Sequence, residues 1–225
     1  MLATSADREA FGTVTRLPIV RERSNNAGAA SGHYYHQDLL VAQMICAASP
    51  NRHVDVGSRV DGFVAHVASF RPIEVMDIRP MQTTSKNITF IQGDLLVKGP
   101  EWHECTDSIS CLHTLEHLGL GRYGDTLDPD AWREGLATLT AMLQPGGTMY
   151  LSVPIGPQRV EFNAHRVFSV AFMSGVLEQN FEILSFHYVD DSGALHSPAS
   201  WTGPEADQAH GCTYGCGIWV LRRER

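Results

Sequence analysis

Cysteine is scarce in this chain of 225 residues, basic charge is in the minority, and long apolar runs are missing. The five cysteines, Cys46, Cys105, Cys111, Cys212 and Cys216, are scattered and odd in number, which argues against a disulfide framework and for a reducing, cytoplasmic setting. Cys212 and Cys216 lack the second pair that a structural zinc site needs. With 17 basic against 25 acidic side chains the formal charge is −8, a poor match to nucleic acid or anionic lipid. No stretch approaches the ~20 apolar residues that cross a bilayer. Asp7, Arg8 and Glu9 stand where a secretory leader would carry its apolar run, so no export signal is expected.

What is present is an ordinary globular composition, long enough for one sizeable core. Residues 1–32 show no sustained periodicity and end in the small, polar run SNNAGAASG; they are expected to form an N-terminal arm. Residues 33–225 are expected to form a single domain. HYYHQDLLVAQMICAA, from His33 to Ala48, carries apolar residues at helical spacing and stops at Ser49-Pro50. Beyond it, short apolar runs alternate with helical stretches, the pattern of βαβ units. The spacing predicts strands at 53–56, 73–77, 88–92, 108–112, 148–153, 181–189 and 217–221, and helices at 62–70, 129–143 and 169–179. Asp128-Pro129 suits the start of the second of these helices, and Gln144-Pro145-Gly146-Gly147 suits its end. Gly193 to Gly211 reads as a long loop.

The most informative segment is HVDVGSRVDGF, from His53 to Phe63. An apolar strand ends at Asp55, Gly57 permits a tight turn, and Gly62 permits the next helix to approach the sheet closely, leaving backbone amides free for a ligand. The next strand ends in Asp77, about twenty residues on, where a carboxylate can accept both hydroxyl hydrogens of a ribose. After the third strand, Gly93-Asp94-Leu95 places a second carboxylate at the same sheet edge, suited to the exocyclic amine of adenine. Three such elements on successive strands point to a nucleoside site.

At DVGSRVDGF, Asp77, GDLL, SISCLHTLEHL, LQPGGTMYLSVP and the tail FEILSFHYVDD with CGIWVLRR, the chain resembles the class I S-adenosylmethionine-dependent methyltransferases. The resemblance covers about 55–221. HTLEHLGLGRYGD and VPIGPQRVEFNAHR are similar, more narrowly, to the family called domain of unknown function 268. The resemblance implies an α/β fold with a Rossmann-like sheet of seven strands, mostly parallel with a reversed last strand, and helices on both faces. It also implies S-adenosyl-L-methionine as cofactor, held by Asp55, Gly57, Ser58, Asp77, Ile78, Asp94 and Leu95. One position departs from the pattern: Arg59 stands where that family commonly has a second glycine, and its guanidinium must either point away or fill the space beside the methionine part of the cofactor.

Residues just after the fourth strand belong to the crevice of such a sheet. There His113, Glu116 and His117 are separated by three and four positions and share a face if the turn is helical. The letters also match the HxxEH motif of inverted zinc peptidases, but an apolar strand runs directly into them and Gly119 and Gly121 interrupt the helix that motif needs. Three uses remain open. His113 or His117 can act as general base on an acceptor hydroxyl with Glu116 orienting the ring; the three can hold a divalent metal with His165 or Glu161 completing the shell; or they can simply close the pocket. Residues 156–166 are expected over the same crevice, with Arg159 and Arg166 gripping an anion and Asn163 and His165 binding hydroxyls. GLGRYGD, 119–125, reads as a lid from which Arg122, Tyr123 and Asp125 reach substrate. His33, His36, His187 and His196 have no such company and read as ordinary residues. The expected activity is methyl transfer to an oxygen, less favourably a nitrogen, of a small polar acceptor such as a sugar derivative or secondary metabolite. Its rival is a metal-dependent hydrolase, lyase or isomerase that does not use the methyl donor. A small-molecule acceptor is the expected partner; self-association into a homo-oligomer is left open.

Overall fold

The computed structural model describes residues 17–20, 27–97 and 99–224, which fall into two compact units, Met1–Ala30 and Ser31–Arg225. In the first, the described residues 17–20 have no regular structure and are exposed. The second is an α/β unit. Among the described residues no helix is long and apolar enough to cross a membrane.

Helix α1 (His33–Ala48) leads into β1 (His53–Val56), a π-helical turn (Val60–Val64) continued by α2 (Ala65–Ala68), β2 (Ile73–Asp77), β3 (Ile88–Gln92) and β4 (Thr106–Leu112). The chain continues through a 3-10 turn (Leu115–His117), α3 (Ala131–Met142), β5 (Leu143–Ile155), a small hairpin of β6 (Arg159–Glu161) and β7 (His165–Val167), and α4 (Val170–Leu177). It closes with β8 (Phe181–Val189), β9 (Leu195–Ala199), α5 (Pro204–Asp207) and β10 (Gly215–Arg223). The main sheet has eight strands in the order β3-β2-β1-β4-β5-β10-β8-β9. Strands β3 to β5 pair in parallel, and β10 runs antiparallel between β5 and β8.

Side-chain alternation along the strands builds a core on each face of the sheet. On β5, Met149, Leu151, Val153 and Ile155 pack with α3 and α4, while Tyr150 points to the opposite layer; on β10, Trp219 and Leu221 join the first core, and Ile218 and Val220 join the second with Val41, Ala42 and Ile45 of α1. Both faces are therefore covered. This is why the parallel strands read as apolar runs in the sequence.

The seven expected strands are present, and an eighth, β9, lies inside the segment read as a loop. LHSPA is polar and contains a proline, which a sheet edge tolerates because one side of the strand needs no partner. The hairpin β6–β7 also occupies residues expected to be irregular. Asp128 does not cap α3: its Oδ1 accepts from Asp130 N at 2.9 Å inside the preceding turn, and the helix begins at Ala131. Gly62 makes room for α1 rather than the sheet, since a β-carbon there would meet the Asp38 carboxylate.

Trp219 is fully buried, its ring centroid 4.8 Å from that of Phe186 and its Nε1 donating to Ser174 Oγ at 3.1 Å. Trp219→Ala is expected to lower the unfolding free energy by about 3–5 kcal/mol, read as a shifted urea midpoint. A loss below about 1 kcal/mol would show that this core is not tightly packed.

Candidate active site

The carboxyl ends of β1 to β4 converge on a cleft with about 650 Å³ of atom-free space, mouth included. Gly57, Asp77, Ile78, Arg79, Asp94, Leu95, His113, Thr114, His117, Tyr123 and Asp125 line it. Gly57 turns with φ +74°, and a β-carbon there would fall 2.6 Å from the Thr114 methyl. The missing side chain thus lets the loops after β1 and β4 meet.

Behind this turn lies Asp55, fully enclosed. Its Oδ1 accepts from the hydroxyls of Ser58 and Ser110, each at 2.6 Å, and its Oδ2 from Ser58 N at 3.2 Å. Burial raises its pKa to about 7 against the opposing pull of these three donors. Asp55 and Ser58 consequently do not line the cleft but brace the glycine turn from beneath. Arg59 points away, paired with Asp61 at 2.9 Å and lying over the Tyr34 ring at 5.0 Å.

Asp77 and Asp94 sit at the cleft wall beside the apolar Ile78 and Leu95. Asp94 Oδ1 accepts from Leu96 N at 2.9 Å, and its Oδ2 has no protein partner among the described residues. Asp77 is gripped by Arg79, whose Nε donates to Oδ1 at 2.9 Å and Nη2 to Oδ2 at 2.6 Å.

The inner end of the cleft holds the histidines. His117 Nδ1 donates to Ala164 O at 2.7 Å, which leaves the lone pair on Nε2, 3.7 Å from Glu116 Oε1. Burial lowers the His117 pKa, with the charges of Arg122 and His113 adding to the effect and Glu116 opposing it. His113 takes a left-handed backbone, φ 51°, and its Nδ1 meets Glu116 Oε1 at 2.8 Å. Burial alone would depress its pKa, but the Cys216 sulfur and the Glu116 carboxylate outweigh that and hold it well above the ordinary value. Glu116 Oε2 is buried without a hydrogen-bond partner among the described residues.

Other expected site residues are placed elsewhere. Arg166 is buried, its guanidinium donating to the carbonyls of Glu116, Leu118 and Pro129 at 3.3, 2.6 and 3.0 Å, so its donors hold the loop together and face no ligand. Arg159 pairs with Glu161 at 2.8 Å and donates to Thr213 O at 3.0 Å. Asn163 is exposed at the turn of the β6–β7 hairpin. His165 Nε2 lies 3.2 Å from Glu161 Oε2 and its ring is 5.0 Å from Tyr214. Tyr123 does line the cleft, in edge contact with His117 at 5.9 Å. Among the described residues no group of three or more His, Cys, Asp or Glu is placed to hold a metal ion. The imidazoles of His113 and His117 each commit Nδ1 to the protein, and the alternative shell of His113, Glu116, His117 and His165 is not among such groups.

His33 proves not to be ordinary. Its ring stacks on His113 with centroids 5.6 Å apart and planes within 2°, touches Tyr214 at 5.6 Å, and burial with the adjacent His113 lowers its pKa to about 4. The first turn of α1 thus reaches the histidine cluster. Arg79, Thr114 and Tyr214 also lie at the cleft or the histidine cluster without having been expected there; only Arg79, two positions after the expected ribose acid Asp77, carries a visible signal in the sequence.

The sequence model of the family described as "Caenorhabditis protein of unknown function, DUF268" matches residues 64–205. No curated protein matches. Among solved structures, the N-methyltransferase NodS from Bradyrhizobium japonicum WM9, crystallised with S-adenosyl-L-homocysteine, aligns over 86% of this chain and 89% of its own at 13% identity and a TM-score of 0.55. The 1,6-didemethyltoxoflavin-N1-methyltransferase of Burkholderia thailandensis aligns over 84% and 79% at 16% identity, TM-score 0.58. The cyclase SpnF aligns over 83% and 81% at 14% identity, TM-score 0.56. At these identities the likeness establishes the fold.

The enclosed Asp55 generates a pH signature. A carboxyl whose pKa is raised on folding, here from 3.8 to about 7, contributes stability below its unfolded value and loses it as pH rises through the folded value. Asp55→Asn, permanently neutral, is expected to gain thermal stability relative to the parent as pH rises from about 4 to about 7. A melting-temperature gap that stays constant over that window would overturn the assignment.

Proposed function

We propose that this chain, which belongs to the DUF268 family and has the fold of the class I methyltransferases, moves the methyl group of S-adenosyl-L-methionine to an oxygen, less favourably a nitrogen, of a small polar acceptor. The observation that carries this reading is one cleft holding two carboxylates, Asp77 and Asp94, on successive strand ends, beside a glycine turn and an imidazole with a free lone pair.

The residues present fit the cofactor. Asp77 has the position and chemistry to accept from a ribose diol, Asp94 Oδ2, without a partner among the described residues, is suited to accept from the adenine amine, and Ile78 and Leu95 offer apolar cover to the purine. Arg59, turned outward, leaves the throat open. When bound, the cofactor supplies an electrophilic methyl carried by a sulfonium. What the protein must then do is align the acceptor and remove a proton. His117 is suited to take that proton, because Ala164 O fixes the tautomer, the lowered pKa keeps Nε2 unprotonated near neutral pH, and Glu116 nearby stabilises the imidazolium that forms. His113, paired with Glu116, holds that carboxylate in place.

SpnF has a similar fold and is named for cyclase chemistry, which supports a second reading, a reaction of another class in the same cleft. The metal-dependent form of that reading has no ligand set among the described residues to support it.

Calorimetry of the full chain with S-adenosylhomocysteine is expected to show one site per chain, weakened about ten- to a hundredfold by Asp77→Ala; no binding to the parent protein would remove the methyl-donor reading. His117→Ala is expected to lower kcat by about a hundredfold or more with little change in S-adenosylhomocysteine affinity, and equal losses in both would assign it a structural role. Because the His117 pKa is depressed, the acid limb of the kcat profile should fall below pH 6.5, the ordinary histidine value. A limb at or above that value would exclude His117 as the base.

A further inference from the structure

We propose that Arg79 sets the nucleoside affinity of the cleft by competing with a ribose for the carboxylate of Asp77, an inference that rests on the methyl-donor reading above. The Arg79 side chain occupies both oxygens of Asp77, Nε on Oδ1 at 2.9 Å and Nη2 on Oδ2 at 2.6 Å. That fork uses the same pair of acceptor positions that a vicinal diol would take, so the two ligands of the carboxylate exclude one another. The backbone amide of Arg79 also donates to Oδ1, at 2.8 Å, and would persist with the side chain removed. Orientation of the carboxylate therefore does not depend on the guanidinium, and what the side chain adds is occupancy.

The energetics favour a clasp that opens. The Arg79 side chain is 57% exposed and that of Asp77 only 15%, so the cation sits in water at the mouth while the carboxylate faces the wall. Exposed ion pairs are weak and screened by salt. Tyr123 of the loop 119–125 holds the guanidinium from another side, 5.1 Å from the ring centroid, so release from Asp77 leaves the cation a partner. A ribose that displaces Arg79 thus disturbs a contact between the β2 edge and Tyr123, which itself lies in edge contact with His117.

The test is calorimetry with S-adenosylhomocysteine on the full chain and on Arg79→Ala, combined with NMR of the Arg79 Nε–H resonance, identified by its absence in Arg79→Ala and by its shift in Asp77→Asn. The variant is expected to bind roughly two- to fivefold more tightly than the parent. Raising ionic strength from about 0.05 M to about 0.5 M should tighten binding to the parent and not to the variant, because the competitor alone is a screened ion pair. The Nε–H signal should move to its Asp77→Asn position as the nucleoside is added. Binding by the variant alone would support the proposal in its strongest form. Nucleoside binding with an unmoved Nε–H signal, or with equal or weaker affinity in Arg79→Ala, would overturn it and leave the methyl-donor reading standing. No binding to either protein, with the Nε–H signal in its clasped position, would overturn both.

Discussion

A single buried carboxylate ties the candidate site together. Asp55, the third residue of β1, has no exposure, and its two oxygens collect donors from the turn that follows β1 and from the middle of β4. A carboxylate enclosed in this way is costly unless its acceptor positions are filled, and the donors that fill them are the ones that fix the loop. Ser58 N–H and Oγ–H pull the glycine turn down onto the sheet, and Ser110 locks that turn to the strand whose next residues are Cys111, Leu112 and His113. The distance between the glycine turn and the histidine cluster is thereby set from below, by residues that no ligand would touch. Gly57 completes the arrangement from above, because Thr114 fills the volume a side chain would have taken.

What was legible in the sequence follows from this same architecture. Central parallel strands covered on both faces are largely apolar, so β1, β2, β4 and β5 stand out, and the turns after them are polar where they meet the crevice. Asp77, Asp94 and His117 were readable for that reason: each stands at or within a few residues of the carboxyl end of a parallel strand, where the chain meets the crevice. The misplaced residues share a different property. Asp55 and Arg166 are groups turned inward, held in part by partners far away in sequence, the Ser110 hydroxyl for the first and the carbonyls of Leu118 and Pro129 for the second. Local spacing carries no trace of such partners. β9 escaped because an edge strand needs neither apolar alternation nor a complete set of amide donors, and LHSPA has neither. His33 escaped because its neighbour in space, His113, is separated from it by the whole first half of the sheet.

The histidine cluster places two similar rings beside one carboxylate and leaves them in different states. His113 lies 2.8 Å from Glu116 Oε1 and is driven toward the charged form by the Cys216 sulfur and that carboxylate, whereas His117, with Nε2 at 3.7 Å from the same oxygen, is driven toward the neutral one by burial and by the charges of Arg122 and His113, against the opposing pull of Glu116 and the Ala164 carbonyl. Two titratable groups pushed apart by their surroundings are a recurrent sign of an acid–base site. The tautomer of His117 has a definite structural source. The β6–β7 hairpin supplies Ala164 O, and the buried Arg166 beside it anchors that hairpin to the carbonyls of Glu116 and Leu118. The polar stretch after β5 was expected to meet the acceptor directly; its visible contribution is to hold His117 in one tautomer.

That division of labour bears on how the two ends of the cleft communicate. Arg122 Nη1 donates to the same Ala164 carbonyl at 2.9 Å and lies 3.2 Å from His117 Nδ1, while its guanidinium lies over the Tyr123 ring at 5.4 Å. Arg79 approaches that ring from the β2 edge at 5.1 Å. Tyr123 is therefore a shared face between the cation that clasps the expected ribose acid and the cation that sits beside the expected base. Cation–π contacts at exposed sites are worth only about 0.5–1 kcal/mol each, so the ring cannot lock either arginine. It can pass a change in the position of one to the other at low cost, which is what a loop needs if it is to respond to occupancy of the nucleoside end without unravelling the histidine end.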